Sequence, residues 1–295
     1  VRYRLDKLMP SIYNGLAKAL VGGGLDWAAP WLSKPYDGDW VQRGLVFEIS
    51  SGHLLKLDEF GNVTRASHGT RMLTDDECAE AYPGKWARFA DLDARRRHPD
   101  FAVFITWFDV PAVLVLARLV DAVVEGACPA HPGGAADAEG FAWLWPSMVS
   151  AFDHIFDNID GFRSSRGSFF EGLAAAPQEV VVPRPRLRRA LERLRARGVL
   201  QVLATNSHFR FADFCLRASL GDDYASLFHL VVVNCGKGRW FTGGGANDGG
   251  TPFQSMCSAG WETGPVATRL RLVQDDVALA PGGAGASTDA TVAPA

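Results

Sequence analysis

Apolar residues fall at helical spacing over Leu8–Val21, where Ile12, Leu16, Ala19 and Leu20 share one face, Pro10 stands near the start and Gly22-Gly23-Gly24 follows as a stop. The pattern predicts an amphipathic helix. The periodicity then breaks, and Asp26 to Trp40, with three tryptophans among prolines and glycines, reads as an ordered loop. From Arg43 to Asp58 two short apolar runs are separated by Ser50-Ser51-Gly52, and a second turn follows at Gly61-Asn62, which predicts a β-hairpin or meander. On adjacent strands Arg43, Glu48 and Lys56 can meet, either as ion pairs on an exposed face or as ligand-binding groups. Ser67-His68-Gly69-Thr70 reads as a turn, and the charged tract from Asp91 to Arg97 as a solvated surface.

The apolar run from Phe101 to Phe108 leads to Asp109, an N-cap candidate, and to a helix carrying Leu114, Ala117 and Asp121. Gly133 to Gly140 is a low-complexity loop, and Phe141 to Asp160 returns to helical spacing. Between Arg186 and Arg197 one apolar stripe, Leu187, Leu191 and Leu194, is surrounded by arginines, which predicts a helix packing its leucines on a sheet with a basic outer face. Val199 to Ala204 then reads as a buried parallel strand: it is too short for a helix, is β-branched at Val199 and Val202, and follows a helix stopped at Gly198. Phe209 to Leu220 repeats the helical pattern, and Leu227 to Val233 predicts a second buried strand. This is a βαβ unit. Ligands in such sheets sit beyond the carboxyl ends of the strands, so Thr205, Asn206 and Ser207 either hold an anion such as phosphate or cap the next helix. Lys237, after the second strand, is either a phosphate ligand or an ordinary loop lysine.

Composition narrows the classes. A chain of 295 residues with 47% hydrophobic content supports about two domains, and a net charge of −3 gives no pull towards nucleic acid or an anionic membrane. The longest apolar stretch, Phe101 to Val124, is interrupted by Asp109, Pro111, Arg118 and Asp121, so no bilayer-spanning helix is expected. The five cysteines, at 78, 128, 215, 235 and 257, form no Cys-x-x-Cys pair, and Cys215 and Cys235 read as small core residues in a reducing, cytoplasmic protein. Asp157 to Gly161 lacks the alternating oxygen ligands and closing Glu of a calcium loop, and Gly243 to Gly250 lacks the Lys-Ser/Thr of a nucleotide loop. The chain opens on Val with no secretory signal behind it, the expectation for a processed chain or for part of a longer product. From Pro265 the sequence is Ala/Gly/Thr-rich and reads as a disordered tail.

Several segments, in one order, carry a resemblance. Arg-Gly-Leu-Val-Phe-Glu (43–48), Leu-Leu-Lys-Leu-Asp (54–58), Phe-Gly-Asn (60–62), Ala-Ser-His-Gly-Thr (66–70), Leu-Ala-Thr-Asn-Ser-His (203–208) and Val-Val-Asn (232–234), with Lys237 and Trp240-Phe241, resemble the cytosolic purine 5′-nucleotidase family of the haloacid dehalogenase superfamily. The likeness is strongest to its 5′-nucleotidase domain-containing members and covers roughly Val1 to Phe241. It implies an α/β fold with a partial Rossmann-like core and a large α+β cap: a core-to-cap helix over 1–25, the cap over 26–185, core over 186–241 and a divergent tail over 242–295.

The resemblance also implies magnesium-dependent hydrolysis of nucleoside 5′-monophosphates, in which one Asp attacks phosphorus and a second, two residues on, protonates the leaving oxygen. Thr205 then matches the hydroxyl that binds the transferring group and Lys237 the cation beside it, with Asn206 and Ser207 adjoining. Arg43 and Lys56 fall where the family's cap contacts substrate, and Glu48 stands where the purine enzyme has Asp. A cytoplasmic protein is implied, with no nucleic-acid or membrane partner and with homo-oligomers possible in the family. Two departures set the expectation for activity. The nucleophile motif Asp-x-Asp-x-Thr belongs immediately before the Arg-Tyr-x-Leu pattern at Arg2 to Leu5 and is not in this sequence. The metal motif, Gly-Asp with a further Asp after Lys237, is also missing, Asp275-Asp276 having no preceding Gly. The expectation is a chain without its nucleophile and metal carboxylates that does not hydrolyse as it stands. The other reading is a pseudoenzyme that binds nucleotides or partner proteins.

Overall fold

The computed structural model describes residues 1–86, 100–129, 140–156, 173, 176–207, 209–233, 256–257 and 260–261. They divide into two compact units, one of Tyr3–Val180 and one of Val1–Arg2 with Val181–Ala295. The class is mixed α/β, as the sequence predicts.

In the Tyr3–Val180 unit the first amphipathic pattern becomes helix α1, Leu5–Gly22, with Leu8, Ile12, Leu16 and Leu20 buried along one stripe. It closes at the glycines, where the Gly23 N–H reaches the carbonyls of Ala19 and Leu20 at 2.9 and 3.1 Å. A short helix α2 follows at Ala29–Leu32. The predicted meander is an antiparallel sheet of β1 (Leu45–Glu48), β2 (His53–Leu57), β3 (Val63–His68), β4 (Arg71–Met72) and β5 (Phe101–Phe104). Their spatial order is β4-β3-β2-β1-β5. Helix α3, Asp75–Ala81, starts in a reciprocal cap: the Glu77 N–H donates to Thr74 Oγ1 at 3.2 Å and the Thr74 N–H to Glu77 Oε2 at 2.8 Å.

Both faces of this sheet are covered. On one, Val46, Leu55, Ala66, Phe101 and Val103 pack under Cys78, Tyr82 and Trp86. On the other, Leu45, Phe47, Leu54 and Phe104 are buried, and Phe104 meets Trp145 edge-on. That tryptophan belongs to helix α5, Leu144–Phe156, which together with α4, Val110–Val124, packs on α1. Helix α4 is buried almost all round, which is why its sequence lacks a polar stripe. Asp109 takes the N-cap position of α4 without capping it through its side chain, since its Oδ2 accepts from the Thr106 N–H at 3.1 Å instead. The turn Ser67-His68-Gly69-Thr70 joins β3 to β4 and docks on α4, where Thr70 donates its N–H and its hydroxyl to the two oxygens of Asp121 at 2.9 and 2.6 Å. A last short helix, α6, spans Pro177–Val180.

The second unit contains the predicted βαβ unit: β6 (Val202–Ala204) and β7 (Leu230–Val232) pair in parallel, joined through helix α8 (Phe209–Leu220). Ala212, Leu216, Leu220, Tyr224 and Leu227 form its core, and Cys215 is buried. Helix α7, Pro185–Ala196, is tied to it by Arg188, whose fork donates to both oxygens of Asp223 at 2.7 Å and to the Leu220 carbonyl at 2.6 Å. One arginine of the basic face therefore has a structural role. Two expectations are corrected here. The run Val199–Ala204 is not a buried strand: only three residues pair, and Val199, Leu200 and Val202 are 42, 53 and 52% exposed, because β6 has β7 on one side and no other strand among the described residues. The leucine stripe of α7 is likewise only partly covered. Leu191 joins the core, whereas Leu187 and Leu194 stay exposed. A short antiparallel pair, β8 (Met256–Cys257) and β9 (Gly260–Trp261), completes the described residues. Asp91 to Arg97, the low-complexity loop from Gly133 to Glu139, the acidic stretch Asp157 to Gly161, Lys237, Cys235, Asp275-Asp276 and the tail lie outside them.

Candidate functional site

Antiparallel pairing decides which of the predicted site residues of the sheet come together. Arg65, Lys56, Leu45 and Phe104 form one row across β3, β2, β1 and β5, while His68, His53, Glu48 and Phe101 form another. The rows are three residues apart. At about 3.3 Å per residue this is about 10 Å, and because three is odd the two rows face opposite sides of the sheet. Arg43 and Lys56 therefore meet at one end, where the Lys56 ammonium donates to the Arg43 carbonyl at 2.9 Å. The Arg43 guanidinium lies over the ring of Trp107, 4.4 Å from its centroid, at the turn that follows β5. The expectation that Glu48 joins them is not met, since it sits at the other end and on the other face.

Glu48 is held by three donors, two of them from segments far along the chain. Tyr82 Oη–H and Ser51 Oγ–H donate to its Oε2 at 2.7 and 2.5 Å, and Trp86 Nε1–H to its Oε1 at 2.9 Å. The carboxylate fastens the end of α3 and the chain beyond it to the sheet. With the single Tyr82 proton committed to Glu48, His53 Nδ1, 2.7 Å from Tyr82 Oη, must be the donor in that contact. The His53 and His68 rings meet edge-on with centroids 5.2 Å apart, and His68 Nδ1 is buried with no hydrogen-bond partner among the described residues. Burial raises the Tyr82 hydroxyl pKa, with the Glu48 contact adding to it.

Both imidazoles are pushed below the usual histidine range, His53 by burial and then by its neighbour His68, and His68 by burial and then by Arg71, with Asp121 opposing. A base whose folded pKa is depressed takes up its proton more readily when unfolded. Its stabilising contribution is complete above about pH 6.5 and is lost as the pH falls through the lower folded value. Denaturant midpoints measured from pH 7.5 to pH 5 should accordingly fall more steeply for the wild type than for a His53→Asn/His68→Asn double variant. Parallel curves would contradict this.

In the other unit the Thr205 N–H donates to the Val232 carbonyl at 2.9 Å, which extends the β6–β7 ladder by one residue. Thr205 Oγ1 accepts from the Ser207 N–H at 3.1 Å, so the hydroxyl closes a local turn while its own proton remains a donor. Asn206 is exposed beside it, and Ser207 is half-buried. Lys237 lies outside the described residues. No group of three or more His, Cys, Asp and Glu side chains among the described residues is placed to hold a metal ion.

The profile of the 5′ nucleotidase family matches residues 1–248, which takes in both candidate groups. The chain belongs to this family. Among curated 5′-nucleotidase family relatives, it is 30% identical to the human "5′-nucleotidase domain-containing protein 1" over 245 residues, 82% of this chain and 51% of that protein. Its similarity to the Bos taurus protein of the same name is 28% over 244 residues, covering 81% of this chain and 52% of the relative. The Rattus norvegicus "5′-nucleotidase domain-containing protein 2" is 24% identical over 261 residues, 86% of this chain and 43% of the relative. The chain thus spans about half the length, or less, of these 5′-nucleotidase relatives.

Two residues escape a reading of the sequence. Folding the hairpin about Gly61-Asn62 brings Arg65 opposite Lys56, a pairing that counting back from the turn could have suggested but for the register shift between Lys56 and Leu57. Trp107 carries no sequence signal, since it lies within an apolar run and reaches Arg43 only because β5 pairs with β1.

Proposed function

We propose that this chain carries the substrate-recognising part of a nucleoside 5′-monophosphate phosphatase, and that as it stands it binds such nucleotides without hydrolysing them. The observation that carries this reading is that the Lys56 ammonium donates to the Arg43 backbone carbonyl, which brings these two residues of a 5′-nucleotidase family chain together at one end of the five-stranded sheet. A nucleotide suits them, because guanidinium and ammonium groups both form charge-assisted hydrogen bonds with oxygen acceptors. Within its own unit Thr205 keeps a hydroxyl proton to donate, and Lys237 has the charge to offset a phosphoryl group. What the sequence lacks is an Asp-x-Asp-x-Thr motif, and with it the nucleophile and general acid of the reaction that the resemblance implies. Magnesium belongs to that reaction, but the described residues offer it no ligand set.

The test is an assay of phosphate release from a panel of purine and pyrimidine nucleoside 5′-monophosphates with magnesium present. No release above the blank is expected. Release that Lys237→Ala abolishes would overturn the claim of inactivity. Binding to partner proteins is the second reading, and it has no specific observation behind it.

A further inference from the structure

The row that holds Glu48, His53 and His68 runs on to a fourth strand, where Arg71 of β4 stands directly opposite His68. A carboxylate, two imidazoles and a guanidinium thus follow one another across β1, β2, β3 and β4. The acids around them already hold donors. Glu48 accepts from Tyr82, Ser51 and Trp86, Glu77 of α3 accepts from Arg71 at 3.1 and 3.0 Å, and Asp121 of α4 accepts from Thr70. Burial opposes a charge on the His68 ring most and Arg71 next, whereas Asp121 and the Ser51 backbone favour one. On His53, a charge is opposed by burial, by His68 and by Arg71 and favoured by Glu48, with the Tyr82 hydroxyl on its Nδ1. The cover over His68 is Phe141. Its ring meets the imidazole edge-on with centroids 5.3 Å apart and fills the space above Gly52, where a Cβ would come within 2.6 Å of it. The Phe141 N–H donates to the Ser50 carbonyl at 3.3 Å, and the Phe141 carbonyl accepts at 3.0 Å from the N–H of Leu144, the first residue of α5. One aromatic residue therefore shields an imidazole from water and joins the β1–β2 turn to the entry of α5.

We propose that His68 and Phe141 form an acid-operated catch: the neutral imidazole keeps Phe141 and the entry of α5 on the β1–β2 turn, and a proton on His68 releases them. A neutral ring tolerates such cover, whereas an imidazolium gives up its hydration under it. Like charges directly opposite on neighbouring strands also repel, and the protonated His68 faces Arg71 in that way. Once Phe141 lifts, water hydrates the ring and screens the guanidinium. The loss of stability in acid expected above then begins at this turn rather than throughout the unit. The catch is independent of the nucleotide reading, since His68, Arg71 and Phe141 lie away from the end of the sheet that bears Arg43 and Lys56.

Hydrogen exchange of the full chain, followed by mass spectrometry and corrected for the intrinsic pH dependence of amide exchange, reads the catch segment by segment. Between pH 7.5 and pH 5.5 the protection of residues 140–145 is expected to fall by about tenfold, the effect of one proton taken up on opening by a ring that titrates near pH 6.5 once exposed. Protection of α1 should change less. His68→Gln, which cannot take the proton, should abolish the fall, and His53→Asn should retain it. Arg71→Gln tests the row from its exposed end, without altering either imidazole. With the opposing charge removed, the closed state accepts the proton more readily, so the fall should shrink and the His68 titration, followed by proton NMR, should move up towards the ordinary histidine range. An equal fall in α1, a fall that persists in His68→Gln or disappears in His53→Asn, or protection of 140–145 that stays constant with pH in wild type would each overturn the proposal.

Discussion

Replacing Arg118 by Met should destabilise the Tyr3–Val180 unit by about 3–5 kcal/mol, the expected result of orphaning several buried acceptors at once. Arg118 is the buried charge of the largely apolar helix Val110–Val124, and it is 7% exposed. Its guanidinium donates to the Lys34 carbonyl at 2.6 Å, to the Pro35 carbonyl at 2.7 Å and to the Tyr13 hydroxyl, and it lies against the Tyr13 ring. Tyr13 in turn donates to the Leu32 carbonyl at 2.9 Å. One side chain thus joins α1, α4 and the loop after α2. Met fills a similar volume, so cavity formation contributes little and the deficit comes from the unpaired carbonyls. Arg118→Lys keeps a charge but not a planar fork, and it should fall between the two. Urea unfolding followed by near-ultraviolet circular dichroism measures the difference. A loss under about 1 kcal/mol for Arg118→Met would show that water replaces the fork.

The second large effect is expected at Gly69, where Gly69→Ala should cost about 2–4 kcal/mol. Its φ of +60° already disfavours any side chain, and a Cβ there would run into the Asp121 carboxylate. To relieve the clash the turn must lift from α4 and give up the two bonds from Thr70 to Asp121. Gly126 is the control. It has φ +76° but open space around it, so Gly126→Ala should show only the backbone cost of about 1 kcal/mol. Equal losses at the two positions would mean that the docking of the Gly69 turn on Asp121 adds nothing. The same contact explains why Ser-His-Gly-Thr is recognisable in the sequence: three of its four residues have fixed tasks, His68 in the row with His53, Gly69 at the close approach and Thr70 as the donor.

What is legible in the chain is what is local. The stripe Ile12, Leu16 and Leu20, the turns at Ser51-Gly52 and Gly61-Asn62, and the helix–strand–helix–strand order from Leu187 to Val232 each follow from neighbours a few residues apart. The family is recognisable for the same reason, since its motifs are short segments in order. What escapes depends on long-range pairing. Two of the partners of Glu48 are 34 and 38 residues away at Tyr82 and Trp86, and no periodicity announces them. In the sequence Arg118 is an interruption of an apolar run, whereas in the fold it is the group that lets three segments share a core. The run at Val199 has the composition of a strand covered on both sides, while the described neighbour of β6 is β7 alone. Whether a residue lies at the same end of a sheet as Lys56 or about 10 Å from it depends on register, and register is what a single sequence shows least.

The central claim is that the end of the sheet bearing Arg43 and Lys56 contacts a bound nucleotide. Calorimetric titration of the full chain with a nucleoside 5′-monophosphate and, separately, with the matching nucleoside tests it most directly. The monophosphate is expected to bind and the nucleoside to bind much more weakly, and an Arg43→Ala/Lys56→Ala variant, folded by circular dichroism, to bind the monophosphate at least about tenfold more weakly than wild type. Equal heats for the two ligands, or monophosphate binding that survives the double substitution, would contradict it.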